Sequence, residues 1–182
     1  PFENPRRPEP RIRPDFSPDA GPRIVFRRVI VARGSTEPDG YGENHGVVCE
    51  LLDRAMVPGW TRAGVVEDGS GSRVTSRDVS MAVTESGANL LHISCQNDAH
   101  LVPRNPKFPV VVSIRDLYDF RPRAIDAGES SVPLGNRYPS SSRARELESC
   151  REGFRRADLL LCSSEMTKIE AESMFPETPC AL

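Results

Sequence analysis

An α/β fold built on a mostly parallel sheet, with helices on both faces, is the class this sequence predicts, and three observations predict it. Short apolar runs alternate along the chain with stretches of helical periodicity, the pattern of strands joined by crossover helices. The run "PVVVSI" at Pro109–Ile114 is apolar without alternation, as a strand buried on both faces reads. The segment "RRADLLLCSSEMTKIEAESMFPETP", Arg155 to Pro179, passes through strand, polar turn, helix and proline stop in one βα step.

Each element follows from its residues. Val29, Ile30, Val31 and Ala32 predict the first strand, with Ile24 to Phe26 an earlier edge strand or ordered linker. Val47, Val48, Leu51, Leu52 and Ala55 recur at helical spacing and stop near Pro58 and Gly59. Ala63 to Val66 reads as a weak second strand, followed by a Gly/Ser turn at Gly69 to Ser72. Val79, Ala82 and Val83 fit a short helix that Gly87 closes. "NLLHIS", Asn89 to Ser94, and "PVVVSI" are the next two strands. Ala144, Leu147, Cys150, Phe154 and Ala157 mark one stripe of a long helix introduced by Pro139 and Ser140 to Ser142. Leu159 to Leu161 is too short a run for a helix. Ser163 and Ser164 cap the helix after it, and Glu165 lies in its first turn.

Length and composition bound the organisation. With 182 residues, 37% of them hydrophobic, one sizeable core can form, so a single folded domain is expected over residues 23–182. Residues 1–22 are a Pro- and Arg-rich linker or tail, with Pro1, Pro5, Pro8, Pro10, Pro14, Pro18 and Pro22 favouring extended, solvated backbone. The start at Pro1 reads as a cut or processed chain, and "CAL" at 180–182 reads as the opening of a further strand. A net charge of -2 offers no field for nucleic acid. The Arg residues of the tail, Arg6, Arg7, Arg11 and Arg13, leave a peripheral membrane contact as an alternative to a solvated linker. No apolar run reaches the ~18 residues of a membrane span, and no signal-peptide core is present, so a cytoplasmic protein without a transmembrane segment is expected. Cys49, Cys95, Cys150, Cys162 and Cys180 are odd in number and form no CxxC pair, which favours reduced thiols over a disulfide scaffold or zinc site.

Three constellations could carry chemistry, and all follow strand ends, where open parallel sheets hold ligands. The first is Arg33 to Gly46, "RGSTEPDGYGENHG", far longer than the ~2–6 residues of an ordinary βα connection. Gly40, Gly42 and Gly46 permit positive φ and close backbone approach, and a helix beginning beyond Gly46 would offer free N–H groups to a phosphate or sugar hydroxyl. The spacing matches neither GxGxxG nor a P-loop, and a plain surface loop is the alternative. The second is His92, with Cys95, Gln96, Asn97, Asp98 and His100 behind it. A strand His is as often structural as catalytic, and no diagnostic ligand spacing supports a metal. The third is Arg115 and Asp116 after "PVVVSI". Arg115 can bind phosphate or carboxylate bidentately but cannot act as a base. Asp116 can orient a hydroxyl or pair with Arg121 or Arg123.

At four places in order the chain resembles the N-terminal domain of family 4 glycosyltransferases. "GVVCELLDRA" is similar to the helix containing "xEL" that follows that family's Gly-rich loop; "NLLHIS" to "DvvHxH"; "PVVVSIRDL" to "PvvxtxHDl"; and "ADLLLCSSEMTKIE" to "ADxvixxSexxkxxl". The resemblance covers roughly residues 28–182 and departs from the pattern where Ser94 replaces a second His and Arg115 replaces the His of "HDl". It implies one Rossmann-like half of a GT-B architecture, whose enzymes move a sugar from a nucleotide-diphosphate donor to a hydroxyl acceptor, saccharide or lipid-linked, with no essential metal and no bound cofactor. It implies acceptor-side roles for Gly46, Val47 and Glu50, and places His92, Arg115 and Asp116 at the reacting centre. The donor is held by a C-terminal domain that this sequence lacks, so the chain by itself is expected to be inactive. The competing expectation is a non-catalytic Rossmann-like module that binds a small anionic ligand or a partner chain through Arg115 and the Gly40 to Gly46 loop. A hydrolase has little support, for there is no G-x-S-x-G elbow.

Overall fold

A computed structural model describes residues 27–34, 42–67, 73–128 and 130–182. The 1–22 tail, the Ile24 to Phe26 segment, Gly40 and the Gly69 to Ser72 turn lie outside the described residues. Among the described residues, eight strands and four α-helices follow one another as β1 (Arg27–Ala32), α1 (Gly42–Asp53), β2 (Trp60–Val66), α2 (Ser76–Ser86), β3 (Leu90–Ile93), a 3-10 helix (Gln96–Leu101), β4 (Val110–Ile114), β5 (Arg123–Ala127), β6 (Ser130–Leu134), α3 (Ser141–Arg156), β7 (Leu159–Cys162), α4 (Glu165–Met174) and β8 (Cys180–Ala181).

Six strands form one sheet in the order β2-β1-β3-β4-β7-β8, and every pairing in it is parallel. The chain therefore runs from β1 outward to β2, crosses back over β1 to β3, and then proceeds in one direction to β8. Right-handed crossovers put α1 on one face and send α2, the 3-10 helix, α3 and α4 to the other. This is a Rossmann-like α/β fold with helices on both faces, as the sequence predicts.

The larger core lies under the four-element face. Leu91, Ile93, Val110, Val112, Ile114 and Leu160 are almost fully buried there against Val79, Val83, Leu147, Phe154 and Ala171. Phe154 is the keystone, with Phe120 and Phe175 at centroid distances of 5.1 and 5.0 Å in edge and tilted contacts respectively. The smaller core joins Val29, Val31 and Leu52 beneath α1.

Local chemistry sets the helix ends. Ser140 and Ser164 cap α3 and α4, the latter accepting from the Thr167 amide at 3.1 Å. Thr75 and Asp78 form a capping box at α2, and Gly87 closes that helix in the left-handed conformation at φ 63°. Thr75→Ala removes the side-chain half of the box and is expected to cost about 1 kcal/mol, measured as a lower urea midpoint with an unchanged slope.

Two features depart from the sequence reading. The helix after β1 begins at Gly42, so Gly42 and Gly46 are helical residues and the connection is shorter than the Arg33 to Gly46 span. A helix beginning beyond Gly46 is thereby corrected. At Gly46 an added Cβ would meet nothing within 4 Å, so no close backbone approach requires glycine there. The second is the antiparallel hairpin β5–β6, inserted between β4 and α3 with Ile125 opposite Val132. Arg123 anchors it by pairing with the buried Glu170 and by lying over the Tyr118 ring at 5.0 Å. Gly135, at φ 72°, lets the chain leave the hairpin where a Cβ would overlap the Tyr118 carbonyl.

Candidate functional site

In an open parallel sheet the strand order reverses at one point, and the crevice at the carboxyl end of the two strands flanking it is the natural ligand site. Here those strands are β1 and β3. Beyond their ends lie Arg33 and Gly34 from β1, and Ser94 and Gln96 from β3, and His45 of α1 reaches Ser94.

The best-defined contact in the crevice involves His45, a residue the sequence reading did not single out. Its Nδ1 lies 2.7 Å from Ser94 Oγ, and the Ser94 hydroxyl reaches the Ala32 carbonyl at 3.3 Å. With that hydroxyl donating to Ala32, Nδ1–H of His45 is the donor to Ser94, which leaves the Nε2 lone pair available. Nε2 faces Cys49 Sγ at 3.7 Å and Glu67 Oε2 at 4.0 Å. Burial lowers the pKa of His45 and outweighs the opposing pull of Glu67, with Arg33 and Arg62 adding to the lowering. The ring is therefore neutral at pH 7. Burial also raises the Cys49 thiol, so it stays protonated and can only donate weakly to the ring. The signal for His45 was present in the sequence, since His45, Val48, Cys49 and Leu52 share one helical stripe.

Arg115 stands one strand away, after β4. Its main chain is held by side chains on several sides. The Arg115 amide donates to Gln96 Oε1 at 3.1 Å, and its carbonyl accepts from Ser163 Oγ at 2.7 Å and Thr167 Oγ1 at 3.2 Å. Gln96 is only 2% exposed, whereas Arg115 is exposed. A buried amide, a strand-end hydroxyl and a helix residue thus fix the Arg115 backbone at the carboxyl end of β4. Gly34 explains how β1 passes close by. A Cβ there would come within 2.6 Å of Asp98 Oδ1.

The other expected site residues are spread more widely. His92 lies on β3 one position before its end, with Nε2 2.8 Å from Ser113 Oγ on β4. Burial, with the His45 ring adding to it, lowers its pKa to about 4, so it is neutral and firmly engaged within the sheet. Asp116 Oδ1 accepts from the Tyr118 amide at 3.3 Å, an Asx-type turn, and Arg123 has Glu170 as its carboxylate partner. Val47 is 51% exposed, and the exposed Glu50 pairs with Arg54 at 2.7 Å. These two lie on the solvent side of α1, while His45 and Cys49 face the sheet. Among the described residues no group of three His, Cys, Asp or Glu side chains is arranged to hold a metal ion. None of the five cysteines is in a disulfide.

The fold defines a class: a doubly wound parallel-sheet domain, here with a neutral imidazole, His45, bonded to the Ser94 hydroxyl at the strand-order reversal. No model of a known protein family matches the chain, and no curated protein does. Among the described residues no helix is long and apolar enough to cross a membrane.

Proposed function

We propose that this chain is the acceptor-side half of a GT-B glycosyltransferase, which receives the hydroxyl acceptor of a sugar from a nucleotide-diphosphate donor held by a second domain. The observation that carries the reading is the meeting of His45 Nδ1 with Ser94 Oγ at the strand-order reversal, with Arg33 near enough to act on the ring and Arg115 following the next strand, β4. In this reading a neutral His45 Nε2 accepts a hydrogen bond from an acceptor hydroxyl, and Arg115 faces the anionic portion of donor or acceptor. Transfer needs both substrates oriented in a water-poor cleft, and one wall of that cleft supplies neither full orientation nor stabilisation of the leaving diphosphate. The isolated chain is therefore a binder without turnover.

One observation favours a non-catalytic module instead. The residue clamped most firmly at the edge is Arg115, which holds charge at every relevant pH and transfers no proton. The two readings separate in a titration of the chain with neutral saccharides, with sugar phosphates and with inorganic phosphate, followed by heat. The transferase half binds the sugars, and Ser94→Ala and Arg115→Ala each weaken binding by roughly tenfold, about 1.4 kcal/mol. Binding of phosphate alone, with no gain from the sugar, favours the module. Binding indifferent to both substitutions removes the site from either account.

A further inference from the structure

Glu67, which belongs to none of the constellations legible in the sequence, stands at the same edge of the sheet as His45 and Ser94. It follows β2 directly, and the Arg33 amide ties this end of β2 to β1 by donating to the Val66 carbonyl at 2.8 Å. Glu67 Oε2 faces His45 Nε2 at 4.0 Å, too far for a hydrogen bond between them. His45 is 7% exposed whereas the Glu67 side chain is 51% exposed, so the space between the two atoms runs from a buried imidazole out to solvent.

Neither atom brings a proton to that space. The Nδ1–H of His45 is committed to Ser94 Oγ at 2.7 Å, which leaves Nε2 a lone pair, and a carboxylate only accepts. Cys49 Sγ, 3.7 Å from Nε2, is a weak donor at the margin. A buried acceptor without a strong donor costs free energy, and a ligand that supplies one recovers it. We propose that His45 and Glu67 are the two sides of a binding site for a vicinal diol, one hydroxyl donating to His45 Nε2 and its neighbour to Glu67 Oε2.

Charge and proton count select that ligand. A phosphate or carboxylate would meet a carboxylate and a lone pair, both repulsive to it. An ammonium would meet Arg33 and Arg62, whose positive charges already act on the His45 ring. A metal ion needs more ligands than these two, and among the described residues no three His, Cys, Asp or Glu side chains are arranged to hold one. A single hydroxyl carries one proton and satisfies one of the two acceptors, whereas adjacent hydroxyls of a ring carry two, side by side. On the transferase reading, on which this site depends for taking its diol from a saccharide acceptor, Glu67 becomes a residue that selects among acceptors.

The chain has three histidines, so the ring nitrogen resonances of His45 can be followed individually in the labelled protein. The test titrates the full 182-residue chain near neutral pH with vicinal cyclohexanediol, with cyclohexanol and with inorganic phosphate. The expected result is a saturable shift of the His45 Nε2 resonance with the diol, a response to cyclohexanol roughly tenfold weaker, and none to phosphate. Glu67→Ala should lower diol affinity to that of cyclohexanol, and Glu67→Gln, which keeps an acceptor, should restore part of it. Glu67 is half exposed, so neither variant disturbs the core. Equal binding of diol and cyclohexanol, indifference to Glu67→Ala, or no saturable shift with the diol overturns the proposal. Saccharides that bind the chain irrespective of Glu67 overturn this site and leave the transferase reading standing, whereas a diol that binds through Glu67 where no saccharide binds does the reverse.

Discussion

Gly153→Ala is expected to melt roughly 6–12 °C below the natural chain, a loss of about 3 kcal/mol, although alanine is the better helix former. The reason is the seating of α3 on the 3-10 helix. Gly153 is buried in the last third of α3, and an added Cβ would overlap the Ala99 carbonyl, which is backbone and cannot rotate aside. The two elements are locked around that point. Cys150 Sγ donates to the Asn97 carbonyl at 3.2 Å, Arg143 reaches Asn97 Oδ1 at 3.2 Å, and Arg156 reaches the Val102 carbonyl at 3.2 Å. Moving α3 outward to admit a methyl group would strain these bonds together and loosen Phe154 at the centre of the core. Gly46→Ala is the matched control, since that helical glycine is exposed with open space around its Cβ. It is expected to gain about 0.5–1 kcal/mol. Thermal melts of the two variants side by side decide the matter, and equal melting temperatures would show that α3 is not seated as described.

Acid should destabilise the protein well before its carboxylates titrate. His92 has a folded-state pKa of about 4 against an ordinary 6.5, because burial disfavours the imidazolium. Between those values the unfolded chain binds a proton that the folded chain does not, so stability falls as pH falls. The loss begins near pH 6.5 and is complete near pH 4, below which both states are protonated and His92 adds nothing more. Over the window it amounts to about 3 kcal/mol, and His45, lowered in the same direction, adds to it. His92→Gln keeps a hydrogen-bonding partner for Ser113 and removes the titration. Urea unfolding at pH 7 and pH 4.5 should show the natural chain losing markedly more stability than the variant. Parallel losses in the two proteins would mean that the His92 ring is hydrated and charged when folded.

How much was legible in advance depends on whether a residue's role is local. Leu159 to Leu161, the Ser164 cap and the Gly87 stop could be read because apolar runs, short hydroxyl side chains and left-handed glycines act within a few residues of themselves. "CAL" likewise opens a strand, β8. The β5–β6 hairpin could not be read. Its segment 123–134 carries Gly128 and Pro133, has no sustained alternation, and owes its position to Arg123 meeting Glu170, 47 residues away. The site shows the same division. Arg115 and His92 announced themselves by following or sitting within apolar runs. His45 showed only its place on the inward stripe of α1, since its partner Ser94 is 49 residues distant and the stripe does not name that partner. The start of α1 was placed too late because Gly42 and Gly46 were credited with turn conformations, although tertiary context keeps both in the helix.

The interior position of β1, between β2 and β3, has a consequence for how the chain is made. Made before the other described strands, β1 finds β2 as its neighbour after a single helix, but its other edge waits for β3, with Val29 pairing Leu90 and Ile30 pairing Leu91. For about sixty residues of elongation, at roughly 5–20 residues per second, a four-residue apolar ladder stands open on a nascent chain. An exposed strand edge of that kind invites pairing with any other extended segment nearby. The step that ends this interval is the return of the chain across β1 through α2, whose capping box and glycine stop are encoded locally. Those two caps are thus placed where prompt helix formation shortens the time an edge is available for mispairing.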